Sequence, residues 1–486
     1  MTRSIHLALA VIGSVALFGC SPAAPEQPSP AAAPEQPAPA AATPGPAGGE
    51  SPPAGGRPAD FTLPASTEFT LGNGLQVTMV PYGEMPKAIV MLAVTAGNVD
   101  EAADEVWLGD LMARMMEQGT TTRSAEELAQ DAAAMGGSVN VSVSLNQTLV
   151  VGDALAEHVP GMVELVAETA LEPSFPADEL ERIKGDMVRE VSIARSQPQS
   201  LALEKFREVM YGDHPYGRLF PTEAMLQGYT LEQVRGFHEA ASGGARSRLY
   251  IVGRFDPQAV EAAVRRAFSD MPRGEPADQP VPSPTSRRAV HLLDRPGAPQ
   301  STIMLGLPVI DPSHPDWIAL QVTNALLGGS FGSRITSNIR EDKGYTYSPF
   351  SSVSTRPSDA YWIEGADVTT QHTGASLREI FFEIDRLRDE PPPAEELRGI
   401  QNYLAGNFVL TNSARGSIAN QLAFVDLHGL PDDYLETYVQ KVLAVTPADV
   451  QRIARTYLDP SQMQIVVVGD AATVREQVAG YGTVVE

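Results

Sequence analysis

Pro176-Ala-Asp-Glu-Leu-Glu-Arg-Ile183 returns 217 positions later as Pro393-Ala-Glu-Glu-Leu-Arg-Gly-Ile400, and this echo decides the fold. Self-similarity at a fixed offset marks a repeated structural unit. Working outward, Thr230-Leu-Glu-Gln-Val234 matches Thr446-Pro-Ala-Asp-Val450 at an offset of 216. Each is followed at the same distance by an apolar strand ending in glycine, Leu249-Tyr-Ile-Val-Gly253 and Ile465-Val-Val-Val-Gly469. Correspondences that share one offset imply an internal duplication into two domains of about equal size. Helical and strand patterns interleave over short connections, so the expected fold class is α+β, two homologous tandem domains, each with a mixed, largely antiparallel sheet and helices. The boundaries read as an N-terminal domain over 61–270, a linker over 271–288 marked by five prolines, and a C-terminal domain over 289–486.

A chain of 486 residues is long enough for each domain to bury its own core, and its 43% hydrophobic and 20% charged residues are an ordinary globular balance. The formal net charge of -25 argues against nucleic acid, whose phosphates it would repel. The opening MTRSIHLALAVIGSVALFGC has a basic start at Arg3, an apolar run from Ile5 to Phe18, and the chain's only cysteine. This resembles a bacterial lipoprotein signal over 1–19 with Cys20 as the lipidated residue, although Phe18 stands where a smaller residue is commoner. A plain secretory signal or an uncleaved anchor are the alternatives, and the run is too short for a spanning helix. Residues 20–60 are dominated by Pro and Ala, with the local repeat APEQPSPA and APEQPAPA, and read as an extended tether with no core of its own. With Ser21 after the cysteine, the expected location is the periplasmic side of the outer membrane, lipid-anchored.

The stretch Gly328 to Ser351, GGSFGSRITSNIREDKGYTYSPFS, joins a glycine-rich entry to a helix and a tyrosine-bearing segment. Ser333 is placed to accept a first-turn N–H, Ile335 and Ile339 share one face, and Gly344 suits a left-handed helix stop. In a strand following that stop, Tyr345 and Tyr347 point to one side, so Arg340 from the last helical turn and Tyr347 meet at one mouth. An arginine at a helix C-terminus and tyrosines in a strand are also what ordinary structural preference produces.

The pattern SRI..NIRE.KGY.YS resembles the arginine-tyrosine segment of the M16 (insulinase or pitrilysin-like) zinc peptidases. The opening FTLGNGLQVTMVPY and the turn His214-Pro215-Tyr216-Gly217 are similar to the same family, which the resemblance covers from about residue 66 to 475. The resemblance implies tandem domains closing like a clamshell on a peptide. It also implies that Arg340 and Tyr347 contact substrate near the scissile bond.

An active first domain of that family carries His-x-x-Glu-His on a helix, two zinc ligands one turn apart with a general base between them. The equivalent helix here, Trp107 to Thr120, aligned on its closing Gly119-Thr120, has Asp110 and Arg114 in place of the histidines and Ala113 in place of the base. Only the distant acid has a counterpart, Glu190. Alanine cannot take a proton and arginine does not bind zinc, so no metal is expected on this chain. Asp110 and Arg114 stand at i and i+4, and if Glu190 approaches them the guanidinium takes the position of the zinc charge. On its own pattern, the segment from Trp107 to Glu117 is an amphipathic core helix with Leu108, Leu111, Met112 and Met115 inward.

Together these features imply the non-catalytic, substrate-binding subunit of a heteromeric M16 zinc metallopeptidase. Arg340 and Tyr347 would serve the site of a His-x-x-Glu-His-bearing partner that holds the zinc. A peptide-binding or scaffold lipoprotein with the same fold and no proteolytic role is the alternative. A self-sufficient hydrolase would need an acid, base and electrophile that no pattern supplies.

Overall fold

The computed structural model describes residues 61–485, and the expected signal sequence, Cys20 and the expected tether lie outside the described residues. The first half forms a sheet from β1 (Thr67–Thr70), β2 (Gln76–Pro81), β3 (Lys87–Val94), β4 (Val139–Val143), β5 (Thr148–Leu155) and β6 (Ser247–Gly253), in the order β1-β2-β6-β3-β5-β4. The second half forms a sheet from β7 (Ala289–Asp294), β8 (Gln300–Val309), β9 (Phe350–Val353), β10 (Ala360–Thr369), β11 (Gln464–Gly469) and β12 (Val484–Val485), in the order β12-β7-β11-β8-β10-β9. The orders coincide when β2 is matched with β7, β6 with β11, β3 with β8, β5 with β10 and β4 with β9. Only the outermost strand differs in origin, β1 from the preceding hairpin and β12 from the C-terminal segment. Among the described residues the parallel pairs are β2 with β6, and β7 with β11 and β12; the rest are antiparallel.

The repeated residues explain why the halves fold alike. Pro176 and Pro393 stand at the start of the helices Ala177–Ser196 and Ala394–Thr411, where a missing N–H costs nothing. Thr230 and Thr446 each accept the third helical N–H, from Gln233 at 3.3 Å and Asp449 at 3.2 Å, and those side chains reach back to the capping backbone. The closing glycines of β6 and β11 are required by close approach: a Cβ at Gly253 would lie 2.3 Å from the Lys87 carbonyl oxygen, and one at Gly469 2.5 Å from Ser301 Oγ.

The two halves exchange helices. The helix Pro198–Tyr211 of the first half lays Ala202, Phe206 and Met210 on the second sheet, against Met304, Ile363, Val466 and Val468. Its counterpart in the second half, Arg415–Leu427, lays Ile418, Ala419 and Ala423 on the first sheet, against Val80, Met91, Tyr250 and Val252. Each sheet thus has one face on its own half's core and the other covered by the opposite half. Phe206 is fully buried there, a burial worth about 1.5–3 kcal/mol for one such side chain. Polar contacts reinforce both crossings: Tyr250 donates to the Asp426 carboxylate, and Tyr211 donates to Asp359 Oδ2 at 2.5 Å beside the buried Arg356. Residues 271–288, expected as a linker, carry no helix or strand.

Candidate functional site

In the first half, the helix Leu108–Met116 is entered through Trp107, whose left-handed φ of 67° is tied down by Nε1 donating to the Leu219 carbonyl at 3.1 Å. Leu108, Leu111, Met112 and Met115 are all buried, as the amphipathic pattern predicts. Glu101 closes the N-terminus by accepting the N–H groups of Trp107 at 3.0 Å and Gly109 at 2.9 Å. Burial pushes the Glu101 carboxyl up to about 8 despite these bonds, with nearby Asp110 adding to the rise. Asn98 Nδ2 bridges the two acids, donating to Glu101 Oε1 at 3.0 Å and to Asp110 Oδ2 at 2.8 Å. Burial likewise raises the Asp110 carboxyl above its ordinary value.

The expected i, i+4 ion pair between Asp110 and Arg114 is therefore not the contact that forms. Asp110 turns to Asn98, and Arg114 Nη2 meets Glu190 Oε2 at 2.6 Å, 76 residues on. Both members of that pair are partly open to water, with 36% and 50% of their side chains exposed, so it contributes at most about 1 kcal/mol. Ala113 is buried and brings no proton-transfer group. This set does not fit a zinc ion: a guanidinium, which donates hydrogen bonds and accepts none, is bonded to the one distant acid. Among the described residues no group of three or more His, Cys, Asp or Glu side chains is arranged to hold a metal.

In the second half, the segment around Arg340 is built from two π-helical turns, Ala325–Gly329 and Ser337–Asp342, with a short α-turn at Arg334–Thr336. Such turns carry an extra residue and recur at functional sites. The first needs its glycines: a Cβ on Gly328 would lie 2.6 Å from both Glu364 Oε2 and Ser351 Oγ, and one on Gly329 2.5 Å from Asn324 Nδ2. Ser333 stands at the α-turn's N-cap but its Oγ donates to Thr336 Oγ1 at 2.9 Å instead of accepting a backbone N–H. Ile335 and Ile339 are fully buried, and Gly344 adopts the left-handed φ of 64° that lets Tyr345 N–H return to the Ile339 carbonyl at 2.9 Å.

The tyrosine segment departs from the expected strand. Regular pairing begins only at Phe350, and before it Thr346 makes a single bridge to Val368. The two phenols consequently separate: Tyr345 stacks on His372 with centroids 4.5 Å apart, whereas Tyr347 stands 79% exposed. Arg340 and Tyr347 do meet, the guanidinium lying 4.8 Å from the Tyr347 ring centroid. A third member, Phe331, completes the cluster at 4.4 Å from the same guanidinium and 71% exposed. An aromatic residue set between glycines in GGSFG was the signal for it in the sequence.

Beneath the first π-turn lies a residue that its apolar surroundings hide. Glu364 of β10 is fully buried, and neither carboxyl oxygen has a hydrogen-bond partner among the described residues. Burial alone drives its pKa well above the ordinary carboxylate value, which favours the neutral acid.

Residues 81–220 match the profile of the insulinase (peptidase family M16) domain, and residues 228–404 that of the peptidase M16 inactive domain. An uncharacterized zinc protease of Mycobacterium bovis is 26% identical over 417 residues, covering 82% of this chain and 92% of that protein. One of Streptomyces coelicolor is 22% identical over 396 residues, covering 80% and 86%. Among solved structures, a peptidase M16 inactive domain from Pseudomonas fluorescens aligns with a TM-score of 0.78 at 24% identity, covering 83% of this chain and 98% of that one. A protease from Helicobacter pylori aligns at 0.77 and 21% identity, covering 84% and all of its own chain. With both M16 domain types matched in sequence order, and the fold shared with the solved structures, the chain belongs to the M16 (insulinase) peptidase family.

Proposed function

We propose that this chain is the non-catalytic, substrate-binding and activity-completing subunit of a heteromeric M16 zinc metallopeptidase that acts on peptides in the bacterial periplasm, anchored through lipid on Cys20 to the outer membrane. The observation that carries the reading is the contrast between the halves. Where a zinc-binding helix would present ligands and a base, this chain presents Ala113 and an Arg114–Glu190 ion pair. Its second half retains an arginine and an exposed tyrosine in contact. On this reading, zinc sits on a partner chain bearing His-x-x-Glu-His, and Arg340 and Tyr347 reach peptide held there. A guanidinium fork and a phenolic O–H are both donors, suited to a substrate carbonyl whose oxygen gains negative charge.

The test is purification of a tagged chain from its native cells. The expected result is recovery with an M16 chain that carries His-x-x-Glu-His, and peptidase activity that a chelator abolishes. Recovery of the chain alone would leave the scaffold reading in its place, and chelator-sensitive cleavage by the lone recombinant chain would contradict the subunit role outright.

A further inference from the structure

We infer that Glu364 is a proton-operated catch beneath the Gly328 turn: with its proton the carboxyl lets the turn close over it, and without it the turn lifts, together with the segment that leads to Arg340. The catch rests on the second half alone, and its bearing on peptide rests on the substrate-holding role proposed above.

The first ground is where the carboxyl lies. Glu364 shares the inner face of β10 with Trp362 and Ala366, and stands opposite Leu305 of β8 and Ser351 of β9. It is fully buried, and neither oxygen is bonded among the described residues. What covers it is bare backbone, because a Cβ on Gly328 would lie 2.6 Å from Oε2. Gly328 is buried and Gly329 is exposed, so the turn leads from the acid to the surface within one residue.

The second ground is that a negative charge here has nothing to meet. The polar neighbours are committed to each other: Asn324 Oδ1 accepts from Ser351 Oγ at 2.7 Å and from Trp362 Nε1 at 2.8 Å. Strands β8 and β9, the helix Trp317–Asn324 and the turn Ala325–Gly329 carry no charged residue. The inward charged groups of the other surrounding elements are engaged elsewhere. Arg334 donates to Glu396 at 2.7 Å, Glu383 accepts from Asn338 at 2.9 Å and faces Arg386 at 3.4 Å, and Asp367 accepts from Thr302 at 2.5 Å. Burial is the only influence on the Glu364 acid, in keeping with this. An unpaired carboxylate in such a place is costly, and water is the partner left to it.

The third ground is that the cover is built to move. A π-turn holds one residue more than the α-helix it interrupts, and Gly328, Gly329 and Gly332 leave its exit without side chains to repack. The link beyond it is closed by Ser333 N–H donating to the Ser330 carbonyl at 3.0 Å, and it runs directly into the second π-turn, which carries Arg340. Losing one proton thus changes a local charge, and the turn is the element it biases. The sign follows from the raised affinity of the closed form for its proton: the closed turn is favoured at low pH and given up as pH rises.

The test is amide hydrogen exchange of the full chain between about pH 6 and 8, with each rate divided by the intrinsic rate at that pH. Peptides spanning 325–343 should lose protection in the wild type by up to about tenfold per pH unit, the dependence that release of one proton imposes. Glu364→Gln should hold their protection constant, and Glu364→Leu, which leaves no buried amide unpaired, should do the same. Peptides from β11 give the rate of opening of the whole fold, and those from the turn should exchange faster. A flat wild-type profile, the same fall in all three proteins, or turn amides that exchange no faster than those of β11 overturns the inference. Any of these leaves the subunit reading standing, whereas the lack of a zinc-bearing partner removes that reading and leaves the catch in place.

Discussion

Glu364→Gln tests the polar floor of the π-turn quantitatively. The wild-type carboxyl is fully buried without a hydrogen-bond partner among the described residues, and burial is the sole cause raising its pKa well above the ordinary 4.5. Above that ordinary value, the unfolded chain releases a proton that the folded chain retains. The contribution of Glu364 to stability is therefore full below the unfolded pKa and is lost as pH rises toward the folded one. For a single proton the slope is about 1.4 kcal/mol per pH unit. Glutamine keeps the shape and cannot ionise, so the difference in unfolding free energy should move in favour of the variant, with a slope that approaches about 1.4 kcal/mol per pH unit once the pH is about a unit above the unfolded value. Urea unfolding can follow this through tryptophan fluorescence, since Trp362 lies on the same strand. Taking variant minus wild type cancels the other shifted acids, including Glu101 and Asp110. Two pH profiles that run parallel would refute the assignment of a neutral, unpartnered acid beneath Gly328.

In the assembled pair, Arg340→Ala and Tyr347→Phe should each lower kcat/KM about a hundredfold, the usual cost of one lost transition-state donor, with melting temperature unchanged. Tyr345→Phe should be much milder in the same assay, because that ring stacks on His372. Arg114→Ala should cost less than about 1 kcal/mol in denaturant unfolding, because the Glu190 pair is half open to water; a loss of several kcal/mol would show that the pair holds the domain together. Cys20→Ala should shift the protein from the membrane fraction to the soluble fraction with its melting temperature intact, as losing acyl chains forfeits about 0.8 kcal/mol per buried methylene; retention on membranes would point to another anchor.

The duplication was legible in the sequence because its signals are local. Threonine caps, prolines at helix starts and glycines at strand ends act through neighbouring backbone and so recur wherever the unit recurs. The exchange of helices was not legible, since the spacing of Ala202, Phe206 and Met210 shows that a face is buried but not which sheet buries it. For the same reason the i, i+4 spacing points Asp110 at Arg114, whereas its partner, Asn98, comes from the short 3-10 helix Asn98–Asp100 that precedes the helix. Alternation suggested a strand through Tyr345 and Tyr347, and the return of the Tyr345 N–H to Ile339 prevented it. Glu364 carried no signal in the sequence, because nothing in AYWIEGADV shows that the chain folds Gly328 over its carboxyl and buries it.

The central claim, that this chain completes a peptidase whose metal is held elsewhere, is tested most directly by metal analysis of the natively purified complex and of the separated chains. The account predicts about one zinc per pair, all of it remaining with the His-x-x-Glu-His chain, with peptide cleavage by the pair and by neither chain alone. Stoichiometric zinc on this chain, in a site abolished by changing Glu190 or Asp110, would contradict it.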